Sequence, residues 1–164
     1  MTLLLSSLDT PVGTLNLIAD EQLLLAANLS NLKALQESLD PIYENREINK
    51  VKKIPVISDL ISDYFDGDIS ALNAIKVSQP GAPFSQEAWK AMKKVRPGSV
   101  ISYADLADRA GSANAVRAAG SACAKNAIVI VVPCHRIVKT GGALGNYAYG
   151  LGKKEWLLRH EGAL

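Results

Sequence analysis

Cys134 and His135 are adjacent, and a carboxylate, Glu161, stands near the C-terminus. A thiol, an imidazole and a carboxylate are the parts of an activated nucleophile. The thiolate attacks, the imidazole takes its proton, and the carboxylate orients the imidazole. A free thiol titrates near pH ~8.5, so a buried one needs such help to ionise. Other chemistries fit less well. Zinc needs four ligands, and the only cysteines and histidines are Cys123, Cys134, His135 and His160, without finger-like spacing. No metal is expected. A redox pair of Cys123 with Cys134 lacks the C-x-x-C spacing. A cysteine protease needs a base facing its thiol, whereas neighbours in an extended chain point to opposite faces. One bridging water would close that gap. A buried cysteine with no chemistry, serving as a small apolar side chain, stands beside these readings.

The thiol follows five β-branched residues, Ile128 to Val132. Such side chains stiffen the backbone and favour a buried pleated strand. Upstream, Ser85 is expected to cap a helix over 86–94, ended by Arg96-Pro97-Gly98. Ser102 caps a second helix, with Asp105 at the capping-box position, that stops at Gly111. A third helix is expected from Ala115 to about Lys125. Two short helices around a glycine-containing turn outline a helix-turn-helix. The third helix, with sequence AVRAAGSACAK, is almost all small residues with one long cation, Arg117. Small side chains allow close packing on a core. They equally allow a helix to enter a DNA groove with one reaching arginine.

The N-terminal part reads as a small α/β unit. Short strands form a meander over 1–30, with a turn at Asp9-Thr10-Pro11-Val12-Gly13. A helix is expected over 31–39. Another opens at Pro55, with Val56, Leu60, Ile61 and Tyr64 on one face, and stops at Gly67. Residues 41–55 carry no clear pattern. The run Ser78-Gln79-Pro80-Gly81-Ala82-Pro83 marks a boundary. The expected domains are therefore 1–78, α/β, and 79–164, mainly α and carrying the site.

The chain has 164 residues, 48% of them hydrophobic, enough for two small units. No apolar stretch reaches the ~18 residues of a membrane span, and the start lacks the pattern of a signal peptide. Two cysteines make no disulfide framework, so a reducing, cytoplasmic setting is expected. Residues 1–80 hold 11 acidic and 6 basic side chains, net −5. Residues 81–164 hold 5 and 12, net +7. Such asymmetry fits either a basic half that meets a polyanion or a solvated basic surface.

Pro133-Cys134-His135-Arg136-Ile137-Val138 resembles the signature of the O6-alkylguanine-DNA alkyltransferases, the methylated-DNA–protein-cysteine methyltransferases. The likeness runs from about Phe84 to Gly162. It includes Ile101-Ser102-Tyr103, Arg117-Ala118-Ala119-Gly120, Asn126, Gly145-Asn146-Tyr147 and Lys154-Glu155-Trp156-Leu157-Leu158. It implies a ribonuclease-H-like N-terminal unit and a winged-helix or helix-turn-helix-like C-terminal one. It also implies one-turnover transfer of an alkyl group from O6-alkylguanine, and from O4-alkylthymine, in double-stranded DNA. Cys134 would be the acceptor, His135 the water-mediated base, and Glu161 its orienting carboxylate. Asn126 would be the hinge that holds the turn against the third helix. Arg117 would fill the gap left by an extruded nucleotide. Tyr103 would crowd the neighbouring phosphate and help protonate the departing guanine oxygen. The backbone around Cys134, Ile137 and Ala148 would read the guanine edge in a pocket shared with Tyr147. Ala104, Ser112 and Thr140 would make further DNA contacts. No cofactor is implied. A monomer is expected, with cooperative binding on DNA left open. The location would be the nucleoid of a bacterium or the nucleus of a eukaryote.

Two residues depart from the family's pattern. Ala127 stands where proline is usual, which predicts a looser start to the strand. Tyr149 stands where many relatives have glycine, which predicts a narrowed pocket or a lid over it, and poorer handling of bulky adducts. Three rivals remain: a damage-binding relative without transfer, a helix-turn-helix regulator, and a multiple-turnover thiol hydrolase. The acceptor thiol argues against the first, and its partners against the second. One turnover per molecule would exclude the third.

Overall fold

The structure, a computed structural model, describes residues 2–164. The chain forms two compact units. One extends to Pro80 and takes in Ala127–Val131. The other holds Gly81–Asn126 and Val132–Leu164. The break near residue 80 lies two residues from the position read in the sequence. The return of 127–131 to the first unit is a correction to a single 79–164 domain. Its cause is backbone pairing, described below.

In the first unit, β1 (Leu3–Thr10), β2 (Gly13–Ala19) and β3 (Leu24–Asn28) form an antiparallel meander. β4 (Ile48–Lys50) adds parallel to β1, giving the order β3-β2-β1-β4. The β1–β2 turn is two residues long, Pro11-Val12, with Gly13 at φ 116° supplying a conformation other residues avoid. β4 lies in the stretch that carried no pattern, because one half-buried and two exposed residues have no periodicity to read. α1 (Leu32–Glu37) is capped by the Asn31 side chain, which accepts from the Ala34 N–H at 2.8 Å. It drops Leu35 onto a core of Leu3, Leu5, Ile18, Leu25 and Ala26. α2 is Ile57–Phe65 and buries Ile57, Ser58, Ile61 and Tyr64. Val56 stands outside it, 68% exposed at φ 69°, and is not on the buried face as expected.

Residues 128–132 are buried as expected, but they do not form one strand. Ala27 donates to the Ala127 carbonyl (2.9 Å) and accepts from Val129 N–H (3.1 Å), a short parallel bridge that joins this segment to the first unit. Val131 N–H then turns back to the Val129 carbonyl at 2.8 Å, with Ile130 at φ 72°. This is a γ-turn of the rare, strained hand. A β-branched residue at positive φ is what sequence propensity rules out most firmly. Ala127 does not loosen the segment. Its N–H, which a proline would lack, donates to Gln79 Oε1 at 2.8 Å.

In the second unit, α3 (Pro83–Lys93) starts at its proline, earlier than the Ser85 cap predicted, since Pro at the first helical position has no N–H to satisfy. α4 (Tyr103–Arg109) is capped by Ser102, whose hydroxyl accepts from Asp105 N–H at 3.0 Å. α5 (Val116–Ala124) packs its small residues inward, with Ala119 and Ala122 fully buried, and Trp89 Nε1 donates to the Ala122 carbonyl at 2.9 Å. β5 (Ile101–Ser102) and β6 (Ile137–Val138) pair in parallel. A last helix, α6 (Leu151–His160), was not read from the sequence.

Candidate active site

Pro133 turns the chain so that Cys134 N–H meets the Val132 carbonyl at 2.9 Å. Cys134–Arg136 then form a single 3-10 turn. The turn is held by Asn126, whose amide donates to the Val132 carbonyl at 2.8 Å and to Cys134 Sγ at 3.4 Å. Asparagine suits this place because one NH₂ group can serve both acceptors. Cys134 is 8% exposed. Burial pushes its thiol above the ordinary value, against the pull of the Asn126 hydrogen bond and the Lys154 charge. The resting group is a thiol, poised by groups that favour its anion.

Behind the turn lies a buried charged network. Arg136 forks onto Glu161, with Nε to Oε1 at 2.8 Å and Nη2 to Oε2 at 2.9 Å, and its Nη1 donates to the Val95 carbonyl at 2.8 Å. His135 Nε2 lies 2.8 Å from Glu161 Oε2. Burial alone would raise the Glu161 carboxyl, but hydrogen bonds from His135 and Arg136 outweigh it and hold the group well below the usual carboxylate range. Burial lowers His135, and although Glu161 opposes this, the imidazole stays neutral. An ionised carboxylate can only accept, so Nε2 must carry the proton. Nδ1 is therefore the unprotonated nitrogen. It is buried and has no protein partner among the described residues. The arrangement presents a neutral, carboxylate-oriented base.

A cavity of about 690 Å³ opens on Cys134. Tyr147 and Ala148 line it, as expected for a pocket, with Tyr103 and Arg117 from the expected DNA-contacting set, and so do Cys123, Lys139 and Asn146, which had been given no place in it. Burial, with the neighbouring thiols, pushes the Tyr103 phenol up to about 12, so it stays a hydrogen donor. Arg117 is exposed on the first turn of α5. Ala104, Ser112 and Thr140 are exposed and do not line the cavity. Neither does Ile137, which is fully buried and whose carbonyl accepts from Lys154 Nζ at 2.6 Å. Tyr149 also stands off the wall. Its ring packs edge-on against Tyr147, with centroids 5.9 Å apart. The expectation that Tyr149 narrows the pocket directly is therefore corrected. Tyr147, which it touches, does line the cavity.

Two residues here escaped the sequence reading of roles. Arg136 sits inside the signature but was given no task. Lys154 is fully buried on α6, donating to the Ile137 and Asn146 carbonyls (2.6 and 3.2 Å), with its ammonium 5.8 Å from the Tyr103 ring centre. Charged neighbours, Lys153 and Glu155, hid it in the sequence, and only its burial marks it, since lysine is almost never fully buried without a purpose.

The model of the 6-O-methylguanine DNA methyltransferase DNA-binding domain matches residues 83–163. The methylated-DNA–protein-cysteine methyltransferase of Salmonella typhimurium is 38% identical, over all of this chain and 98% of its own. That of Methanosarcina acetivorans is 34% identical over 94% of this chain and 96% of its own. The crystal structure of Mycobacterium tuberculosis OGT in complex with DNA superposes with a TM-score of 0.77 at 27% identity, covering 96% of this chain and 92% of that one.

Proposed function

The chain belongs to the methylated-DNA–protein-cysteine methyltransferase family, and from that premise we propose that Cys134 is the thiol that accepts the alkyl group. The activity is DNA repair by direct transfer from O6-alkylguanine to the protein's own cysteine. O4-alkylthymine presents the same kind of alkyl ether. A base inside the stack cannot offer its O6 substituent to a buried sulfur, so the nucleotide is extruded, at a cost of a few kcal/mol. Arg117, exposed at the cavity mouth, fills the gap in the duplex, as cations and wedges do in minor-groove binders. Ala104, Ser112 and Thr140 lie on exposed surface that a phosphate backbone can reach. Double-stranded DNA carrying the lesion is the partner of a single chain. The protein then works where DNA is, in a nucleoid or a nucleus.

The chemistry follows from the site. Nδ1 of His135 draws the thiol proton through one water as Sγ meets the alkyl carbon. The S–C bond forms in line as the C–O6 bond breaks. The guanine oxygen leaves with a proton offered by the Tyr103 hydroxyl, and the phenolate takes a proton back from solvent as the His135 imidazolium releases the one drawn from the thiol. Lys154 and the Asn126 amide favour the thiolate, and Glu161 stabilises the imidazolium that forms beside it. A thioether is a stable product and nothing resets it, so each molecule turns over once. The observation that carries this reading is the 2.8 Å contact of His135 Nε2 with Glu161, which leaves Nδ1 as the open base on the residue that follows the cavity-lining thiol. The order β3-β2-β1-β4 supports a ribonuclease-H-like first unit, and the succession of α4 and α5 supports a winged-helix or helix-turn-helix-like second one.

Intact-mass spectrometry with a duplex carrying one O6-methylguanine tests the proposal. One methyl per chain on the Cys134 peptide is expected, and none for Cys134→Ala, which still binds the duplex. Residual transfer in that variant would remove Cys134 from its role.

A further inference from the structure

The sequence pointed to Tyr149 as the residue that limits adduct size, but Tyr149 does not line the cavity. The α5 wall does. Gly120, Ser121, Cys123 and Ala124 line the cavity. Ser121 and Ala124 are exposed, Gly120 has no side chain, and Cys123 is the half-buried side chain among them. We infer that Cys123 sets the size limit of the group that can reach Cys134.

Three observations place it there. Asn126 fixes both sulfur-bearing residues. Its backbone N–H donates to the Cys123 carbonyl at 3.4 Å, and its side chain to Cys134 Sγ at 3.4 Å. The wall and the acceptor are thus held by one residue. Second, α5 cannot retreat. Ala119 and Ala122 are fully buried beside it on the same helix, and the Trp89 indole holds the Ala122 carbonyl at 2.9 Å. Volume added at position 123 goes into the cavity, because a packed interior does not yield to an extra methylene. Third, Cys123 is a wall and not a rival acceptor. Burial, together with the neighbouring Cys134, pushes its thiol up to about 12; burial raises Cys134 too, but there the Asn126 amide donates to the sulfur and favours its anion. A neutral sulfur is a soft apolar surface that an alkyl group can press against.

This inference rests on the proposed acceptor role of Cys134. Its test compares single-turnover rates on duplexes carrying O6-methylguanine or O6-benzylguanine for the wild type, Cys123→Ala, Cys123→Ser and Cys123→Met. One methylene in an apolar pocket discriminates by about tenfold or more. Cys123→Met should therefore lower the benzyl rate about tenfold while the methyl rate moves by less than about twofold. Cys123→Ala should shift the benzyl-to-methyl ratio upward. Cys123→Ser, close to cysteine in size, should leave the ratio unchanged, which separates volume from sulfur chemistry. A constant ratio across Cys123→Ala and Cys123→Met, with methyl still transferred to Cys134, would overturn the inference alone. A wild type that takes up no methyl at all would overturn the proposed function, and the inference with it.

Discussion

Each unit buries a polar network, and the two differ in one respect that separates structure from chemistry. In the first unit, Asn16 and Asn28 face each other across β2 and β3. Ser7 Oγ donates to Asn16 Oδ1 (2.7 Å), Asn16 Nδ2 to Asn28 Oδ1 (3.1 Å), and Asn28 Nδ2 to the Asn31 carbonyl (3.0 Å). Every member is neutral and each asparagine amide oxygen and nitrogen has a partner, which closes the network: it pins strand register and does nothing more. In the second unit the network is charged, with Arg136, Glu161 and His135 all below 4% exposure. It does not close: one imidazole nitrogen keeps its lone pair. Burying charge is costly, and such a pair is often no more stabilising than apolar residues of the same shape. A fold that retains it gains an oriented base.

The largest effect expected from this contrast is at Glu161. Glu161→Gln keeps the volume but leaves Arg136 buried without its anion, which costs about 3–5 kcal/mol. It also removes the group that orients His135, slowing transfer by about 10²-fold or more. Urea unfolding and single-turnover kinetics measure the two losses. Arg117→Ala comes next. It should slow duplex repair by roughly tenfold or more, the order of the extrusion cost, while reaction with free O6-benzylguanine stays unchanged. Equal losses on both substrates would reduce Arg117 to a packing or phosphate residue. Asn28→Ala should cost about 1–3 kcal/mol from groups left unpaired and leave the transfer rate of the folded protein alone. A kinetic loss there would break the comparison outright.

The acid limb of stability sharpens the contrast further. His135 titrates below its ordinary 6.5 and Glu161 below its ordinary 4.5 in the folded state. Below those ordinary values the unfolded chain therefore binds more protons than the folded one, and stability falls as pH falls. The decline should begin under pH 6.5 and steepen under 4.5. In Glu161→Gln the second limb should vanish, whereas Asn28→Ala should keep both. The smallest effect is at Tyr149. Tyr149→Gly loses one edge-on aromatic contact, about 0.5–1.5 kcal/mol, and should leave the benzyl-to-methyl rate ratio within twofold or so of wild type, since an indirect contact discriminates less than a wall residue.

Much of the site was readable because its signals are local. Cys134 and His135 are adjacent, Ser102 caps α4 where its spacing said it would, and Arg117 is the lone cation on a helix of small residues. What the sequence hid has physical reasons. Ile130 occupies a backbone region that its branched side chain disfavours, so five β-branched residues promised a strand where the chain makes a γ-turn. α6 was missed because Lys154 occupies a core position and erases the apolar stripe that marks a helix. Ala127 looked like a loss of proline stiffness, and the compensating acceptor, Gln79, lies forty-eight residues away. Tyr149 was assigned to the pocket by position along the loop, and only the side-chain direction shows that it backs Tyr147 instead.

The central claim is that His135 is neutral and carries its proton on Nε2, leaving Nδ1 open. Imidazole ¹⁵N NMR of the unalkylated protein, labelled at histidine, measures this directly. A protonated Nε2 and an unprotonated Nδ1 are expected for His135, unchanged between pH ~6 and ~8, where an ordinary histidine titrates. A proton on Nδ1, or an imidazolium appearing in that range, would contradict it.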